Sequence, residues 1–184
     1  MVKIFIYIFS LFSISSVLAE SISKKELISL RQNAIYLYND KKYTESIPLF
    51  ERYLSFRNEP KIKIYLAKSF LQRKDLPEPE EDDEIFVRQN KIFTLIENYK
   101  KASKIFADVV PYLEQVTPKD RSIPDLYFLW AFSEYFGKNN EKAIGLFKKS
   151  AILKPELKKM ANYNIAVIYE ELGQNTDSQI YFNK

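Results

Sequence analysis

The sequence predicts an all-α solenoid of about four antiparallel helix pairs, one of them carrying a long acidic insertion. Three observations predict it. Near the C-terminus Trp130, Ala131, Gly137, Ala143 and Phe147 return as Ile165, Ala166, Gly173, Ser178 and Phe182, four of these pairs 35 residues apart and the glycine pair 36. Self-similarity at that period marks a stack in which a helix pair cannot bury its apolar face alone and completes its core on its neighbour. Apolar residues also recur at helical spacing along most of the chain, with turn residues between the runs. The chain holds no cysteine and only 3 glycines, so packing without disulfides must hold the fold.

The N-terminus is set apart. Lys3 precedes an apolar stretch of 14 residues, Ile4 to Val17, broken only by serines, and Val17-Leu18-Ala19 leads into Glu20. A positive start, a short apolar run and small residues before a polar chain make a secretory signal peptide, with cleavage expected after Ala19. The run is shorter than the roughly 20 residues of a membrane span; an uncleaved N-terminal anchor is the alternative. The domain layout is therefore a signal peptide over 1–19 and one helical repeat domain over 20–184, with an insertion at about 75–96. The remaining 165 residues carry a formal charge of +3, since only Lys3 is lost, and suffice for one continuous core.

In the first unit Leu27, Leu30, Ala34, Leu37 and Tyr38 make one helical face, and Asn39-Asp40 breaks it. Tyr43 to Leu54 supplies the second helix through Ile47, Phe50, Tyr53 and Leu54. A cap at Thr44 places Pro48 in the first turn, where a missing amide proton is tolerated. Pro60 separates this unit from a helix over Lys61 to Lys74, which carries Leu66, Ala67 and Phe70. Its partner, Tyr99 to Phe106, begins late: Phe50 and Phe106 are 56 residues apart, one 34-residue repeat plus 22. The extra residues include the acidic run from Pro77 to Glu84, read as a solvated, mobile loop. They continue into Ile85 to Glu97, where Phe86, Phe93 and Ile96 extend the second helix backwards. Pro111 is expected to kink or end that helix.

The third unit opens with Asp125 to Phe136, closed by Gly137. Asn139 or Asn140 caps Glu141 to Leu153, whose buried stripe is Ala143, Ile144, Phe147, Ala151 and Ile152, and Pro155 stops it. In the fourth, Met160 to Leu172 ends at Gly173, the residue that takes a left-handed cap at least cost. Thr176 or Asp177 caps a short last helix, Ser178 to Asn183. With no helix after it, this last pair is expected to be frayed or covered by a neighbour.

At these residues the chain resembles the tetratricopeptide repeat family, whose units are antiparallel helix pairs of about 34 residues. Ile165-Ala166, Tyr169, Leu172-Gly173, Ser178 and Phe182 fall at the family's large, small, aromatic, turn, small and aromatic positions, and Ala143, Phe147 and Pro155 match in the preceding unit. The first unit departs, with Ser46 at a small position and no turn glycine. The likeness covers roughly Leu27 to Phe182, broken by the insertion. It implies a tetratricopeptide-like solenoid, which the signal peptide marks as an exported bacterial member, in which small Ala34, Ala67, Ala131 and Ala166 let paired helices approach closely.

The resemblance also implies that the first helices of successive pairs line a concave groove for a protein or peptide partner in the cell envelope. The candidate partner-binding residues are Arg31, Tyr38, Lys61, Lys68, Tyr127, Glu134, Tyr163 and Glu170. Tyrosine suits such contacts because it offers large area at little rotamer cost. Some members hold a peptide's terminal carboxylate; only Arg31 and Lys68 remain for that here, and that mode is not predicted.

No enzyme is predicted. The chain contains no histidine and no cysteine, which excludes zinc held by those groups, thiol chemistry and histidine-assisted serine chemistry. No glycine-rich phosphate loop exists, so no cofactor is implied. The acidic loop lacks the glycine and alternation of a calcium loop, so no metal is implied either. Export and interspersed acids disfavour nucleic acid. Two further readings stay open: a membrane-tethered structural subunit of an envelope complex, associated with the membrane through its N-terminal segment, and a carboxylate-dependent envelope hydrolase.

Overall fold

A computed structural model describes residues 22–183; the signal-peptide and anchor readings lie outside the described residues. Eight α-helices follow one another: α1 (Lys24–Asn39), α2 (Tyr43–Phe56), α3 (Pro60–Gln72), α4 (Ile85–Val116), α5 (Ile123–Phe136), α6 (Asn140–Leu153), α7 (Lys158–Glu171) and α8 (Asn175–Phe182). A single 3-10 turn, Pro155–Leu157, leads into α7. Each helix packs chiefly on the helix before it and the helix after it. That serial contact pattern is the signature of a solenoid. The described residues form an all-α solenoid of four antiparallel helix pairs.

Small residues make the close approaches. Ala34, Ala67, Ala131 and Ala166 on the first helices, and Ser46, Ala102, Ala143 and Ser178 on the second helices, are all buried. One turn after the second-helix set stand Phe50, Phe106 and Phe147, each fully enclosed, filling the space that small neighbours leave between stacked pairs. Phe182 holds the same place in α8 but is 47% exposed, because no further helix among the described residues covers it.

The turns explain the one-residue irregularity in the repeat. Among the described residues three take positive φ: Lys41 (61°), Lys138 (67°) and Gly173 (71°). Lys138 and Gly173 are 35 residues apart, so Lys138, not Gly137, is the structural equivalent of Gly173. Gly137 serves differently. Its φ is −72°, and a Cβ there would meet the Ser133 carbonyl oxygen at 2.8 Å.

Several caps differ from expectation. The N-terminal boundary of α2 is Lys42 without a side-chain bond, so Pro48 lies inside the helix rather than in its first turn. Thr44 instead bonds the Asp75 carboxylate across to the segment after α3. Asn139 precedes α6 but spends its amide on Glu134, and α8 starts at Asn175, ahead of Thr176 and Asp177. Only α1 has a full capping box, between Ser23 and Glu26. Pro111 neither ends nor interrupts α4, which runs on to Val116; it sits on the exposed side, where a lost amide donor is tolerated.

α4 contains 32 residues and α5 contains 14, or about 48 Å against about 21 Å at 1.5 Å per residue. The two run antiparallel, and α5 ends where Phe136 stacks on Tyr99 at 4.8 Å between ring centroids. Residues before Tyr99 therefore overhang. On the other flank the acidic loop folds against this overhang: Asp83 accepts from Lys91 at 2.8 Å, and the Glu80 carbonyl accepts from Arg88 at 2.6 Å. The acidic run is thus partly built into the fold, contrary to its reading as a freely solvated loop.

Candidate functional site

The four buried alanines of the first helices fix a common register, and the predicted contact residues can be placed against it. Arg31 and Tyr163 lie three residues before their alanines, and Tyr38 and Glu170 lie four after. In α5 those two places belong to Phe128 and Tyr135. Tyr127 and Glu134 are each one residue earlier, a rotation of about 100° that turns them from the outer face into the core. Both are buried. Their expected placement on the outward side is corrected here.

What they do inside is specific. The Glu134 carboxylate accepts from Ser103 Oγ at 2.6 Å, Trp130 Nε1 at 2.9 Å and Asn139 Nδ2 at 3.0 Å, and pairs with Lys142 Nζ at 2.6 Å. Burial is the largest single influence and pushes its pKa up, yet Lys142, Ser103 and Trp130 together outweigh it and hold the carboxyl below its usual range. Tyr127 donates to Glu114 at 2.6 Å, and Lys149 reaches both, with its ammonium 4.2 Å from the Tyr127 ring centroid. These two networks tie α4, α5 and α6 together. They leave Tyr127 and Glu134 with their polar atoms bonded inside the fold.

Arg31 and Tyr38 are half-buried. Arg31 forms a two-pronged ion pair with Glu59, at 2.7 and 3.1 Å, and Tyr53 donates to the same carboxylate at 2.7 Å. The guanidinium holds Glu59 below the usual carboxylate range. Tyr38 packs edge-on against Tyr43, Phe50 and Tyr65, its ring 4.8 Å from that of Tyr65 on α3. Lys68 is half-buried, whereas Lys61, Tyr163 and Glu170 are exposed, Tyr163 by 60%.

The same register shows what the outer row of the first helices consists of. One residue after each alanine stand Ile35, Lys68, Phe132 and Val167, all half-buried. They are flanked by Ile64 and Leu71 on α3, Tyr135 on α5 and Tyr163 on α7. Tyr38 against Tyr65 joins α1 to α3 along this row, and Tyr135 donating to Glu171 joins α5 to α7. Burial and that bond push the Tyr135 hydroxyl up to about 12. The result is a partly exposed apolar and aromatic strip with charges at its edges.

A separate open cleft of about 860 Å³ lies where the α1–α2 turn faces the end of α3, lined by Lys41, Lys42, Thr44, Arg73 and Asp75 among others. Two of its cations are engaged within the fold: Arg73 pairs with Asp75 at 2.6 Å, and Lys42 with Asp40 at 2.8 Å. Among the described residues no group of three acids is placed to hold a metal ion, and no helix is long and apolar enough to cross a membrane. The surface that sequence reasoning missed is the overhang of α4, where Ile85, Phe86 and Phe93 are 79%, 71% and 63% exposed. Phe86 and Phe93 were legible as helical spacing; their exposure depends on α5 ending short of them.

No protein-family profile matches the chain, and no curated protein matches its sequence. Among solved structures, MamA of strain MSR-1 is 14% identical, covering 86% of this chain and 93% of that one at a TM-score of 0.39. MamA of strain AMB-1 is 15% identical, covering 88% and 90% at 0.39. MamA from residue 41 to its end, from Desulfovibrio magneticus RS-1, is 12% identical, covering 89% and 94% at 0.39. Similarity at this level says nothing about function.

Proposed function

We propose that this chain is a non-enzymatic protein-interaction scaffold of the bacterial cell envelope, a divergent tetratricopeptide protein that holds a segment of a partner along the outer row of its first helices. The observation that carries the proposal is that row: half-exposed Ile35, Phe132 and Val167 at one register on three helices, with exposed Lys61, Tyr163 and Glu170 beside them. Four stacked pairs with an enclosed core give such a row rigid support, which lowers the ordering cost of binding. Export is supported by the composition of residues 1–19. The absence of histidine and cysteine from the sequence supports a role without catalysis, cofactor or metal.

The test is capture from a detergent-solubilised envelope fraction with the folded chain as bait. A reproducible partner that is lost with Tyr163→Ala and Val167→Glu supports the proposal. Capture of nothing, or of a partner indifferent to both substitutions, contradicts it. The tethered alternative rests on the apolar run Ile4 to Val17 and is separated by mass spectrometry of the native N-terminus. A chain beginning at Glu20 rules it out.

A further inference from the structure

The overhang of α4 is a helical strip with three chemically distinct parts in a fixed order. At its N-terminal end stand Glu81, Asp82 and Glu84, all exposed and outside the bonds by which Glu80 and Asp83 clamp the loop to Arg88 and Lys91. In the middle, Ile85, Phe86, Ile92 and Phe93 repeat at an interval of seven and so share one face, and all four are exposed. Lys100 and Lys104 follow Phe93 by seven and eleven residues on that same face. Lys100 lies beside the α5–α6 turn, 3.5 Å from where a Gly137 Cβ would stand, so exposed Lys138 adds to the same corner. Lys100 has one exposed partner, Glu97 at 2.9 Å, on its own helix.

The apolar face is turned outward for a structural reason. Lys91, on the side of the helix away from Phe93, and Arg88, one turn from Ile85 and Ile92, are fastened to the acidic loop, and α5 ends before it reaches Phe93. The strip is acidic, apolar and basic in sequence. Turned through 180° about an axis across its middle, it presents basic to acidic and apolar to apolar. An isologous two-fold contact demands that self-complementarity. A basic amphipathic peptide from elsewhere would match the acidic end only and leave the lysine corner facing a like charge.

We propose that this overhang is a self-association surface, on which a second copy of the chain packs antiparallel along α4, with Phe86 and Phe93 at its centre and Glu81 and Asp82 of each copy facing Lys100 and Lys104 of the other. Side chains of this number and size cover on the order of 500 Å² per copy, against roughly 800 Å² in a standard stable interface. A contact smaller than a standard interface is expected to be reversible, and its formation is sought in the micromolar range. It uses a surface separate from the row of the first helices and stands or falls independently of that reading.

The test is sedimentation equilibrium of the chain across that range, combined with charge reversal. The expected result is a weight-average mass that climbs from one chain towards two, with Phe86→Ser/Phe93→Ser remaining a single chain while keeping native circular dichroism. Glu81→Lys/Asp82→Lys and Lys100→Glu/Lys104→Glu are each expected to weaken self-association at least tenfold, and their equimolar mixture to restore it, because mixing returns opposite charges to both ends. A single-chain mass up to millimolar concentration overturns the proposal. So does a dimer indifferent to the phenylalanine substitutions, or a mixture of the two charge variants that stays monomeric. Binding of Phe93 to phosphatidylcholine vesicles by a chain that remains monomeric in solution overturns it in favour of a membrane surface.

Discussion

Replacing Glu134 by alanine removes the acceptor on which three helices and a turn converge. The side chain is 7% exposed, and its carboxylate receives Ser103, Trp130, Asn139 and Lys142 at 2.6 to 3.0 Å. Lys142 is 44% exposed and can turn to water when the partner is lost, so its share of the cost is small. Ser103 and Trp130 retain one weak bond to each other at 3.3 Å, which recovers part of theirs. Asn139 is exposed and can likewise turn to water, so what remains is the incompletely satisfied Ser103 and Trp130, each costing about 1–3 kcal/mol when buried without a partner. Allowing for that recovery, the expected loss is about 3 kcal/mol, at the lower end of the range for breaking a buried ion pair. Glu134→Gln keeps an acceptor oxygen in place and should cost about 1 kcal/mol. Urea unfolding followed by circular dichroism measures both, provided that the slope with denaturant is unchanged. A loss below about 1 kcal/mol for the alanine variant would refute the reasoning, because the network would then be incidental to the junction between the second and third pairs.

Other consequences are as direct. Ala166→Leu inserts a branched side chain at a fully enclosed helix contact and should destabilise by about 1–3 kcal/mol in the same assay; no change would mean that the register of α7 is misplaced. Lys138→Gly relieves a left-handed residue and should stabilise by about 0.5–1 kcal/mol, while Gly173→Lys should destabilise by a similar amount. Phe147→Ala should cost about 3–5 kcal/mol and half-exposed Phe182→Ala well under half of that, which a pair of thermal melts would show. The carboxyls of Glu59 and Glu134 are depressed in the fold relative to a usual 4.5. Groups of that kind contribute stability that is fully present above the unfolded value and lost as pH falls through the folded one. The urea midpoint should hold steady down to about pH 5 and drop below about 4.5, and a midpoint that rose on acidification would contradict the assigned bonds.

Much of the fold is legible because its repeat is written in small residues. Ala34, Ala67, Ala131 and Ala166 lie at tight helix crossings that only a small side chain fits, and the phenylalanines one turn after the second-helix set fill what those crossings leave open. The phase of α5 was not legible. That helix is apolar on nearly every side, with Leu126, Tyr127, Phe128 and Trp130 all buried, so its periodicity does not mark an outer face. Tyr127 and Glu134 were placed one residue out of register for this reason, and only the alanine alignment sets them right. Lys138 carries no local sign of its left-handed backbone, whereas Gly173 does. Pro111 reads as a breaker because the cost of a missing donor is judged locally, while the packing that offsets it comes from distant helices. The exposure of Phe86 and Phe93 depends on where a different helix stops, which no window of sequence around them contains.

The most direct test of the interaction surface is site-specific photo-crosslinking in living cells. A photoreactive residue at Tyr163, Val167 or Lys61, on the first helices, is expected to trap a discrete protein adduct. The same residue at Glu51 or Lys148, exposed on the second helices, is expected to trap none of that partner. Adducts from Glu51 and Lys148 with none from Tyr163, Val167 and Lys61 would contradict the account, because the partner would then sit on the opposite side of the stack.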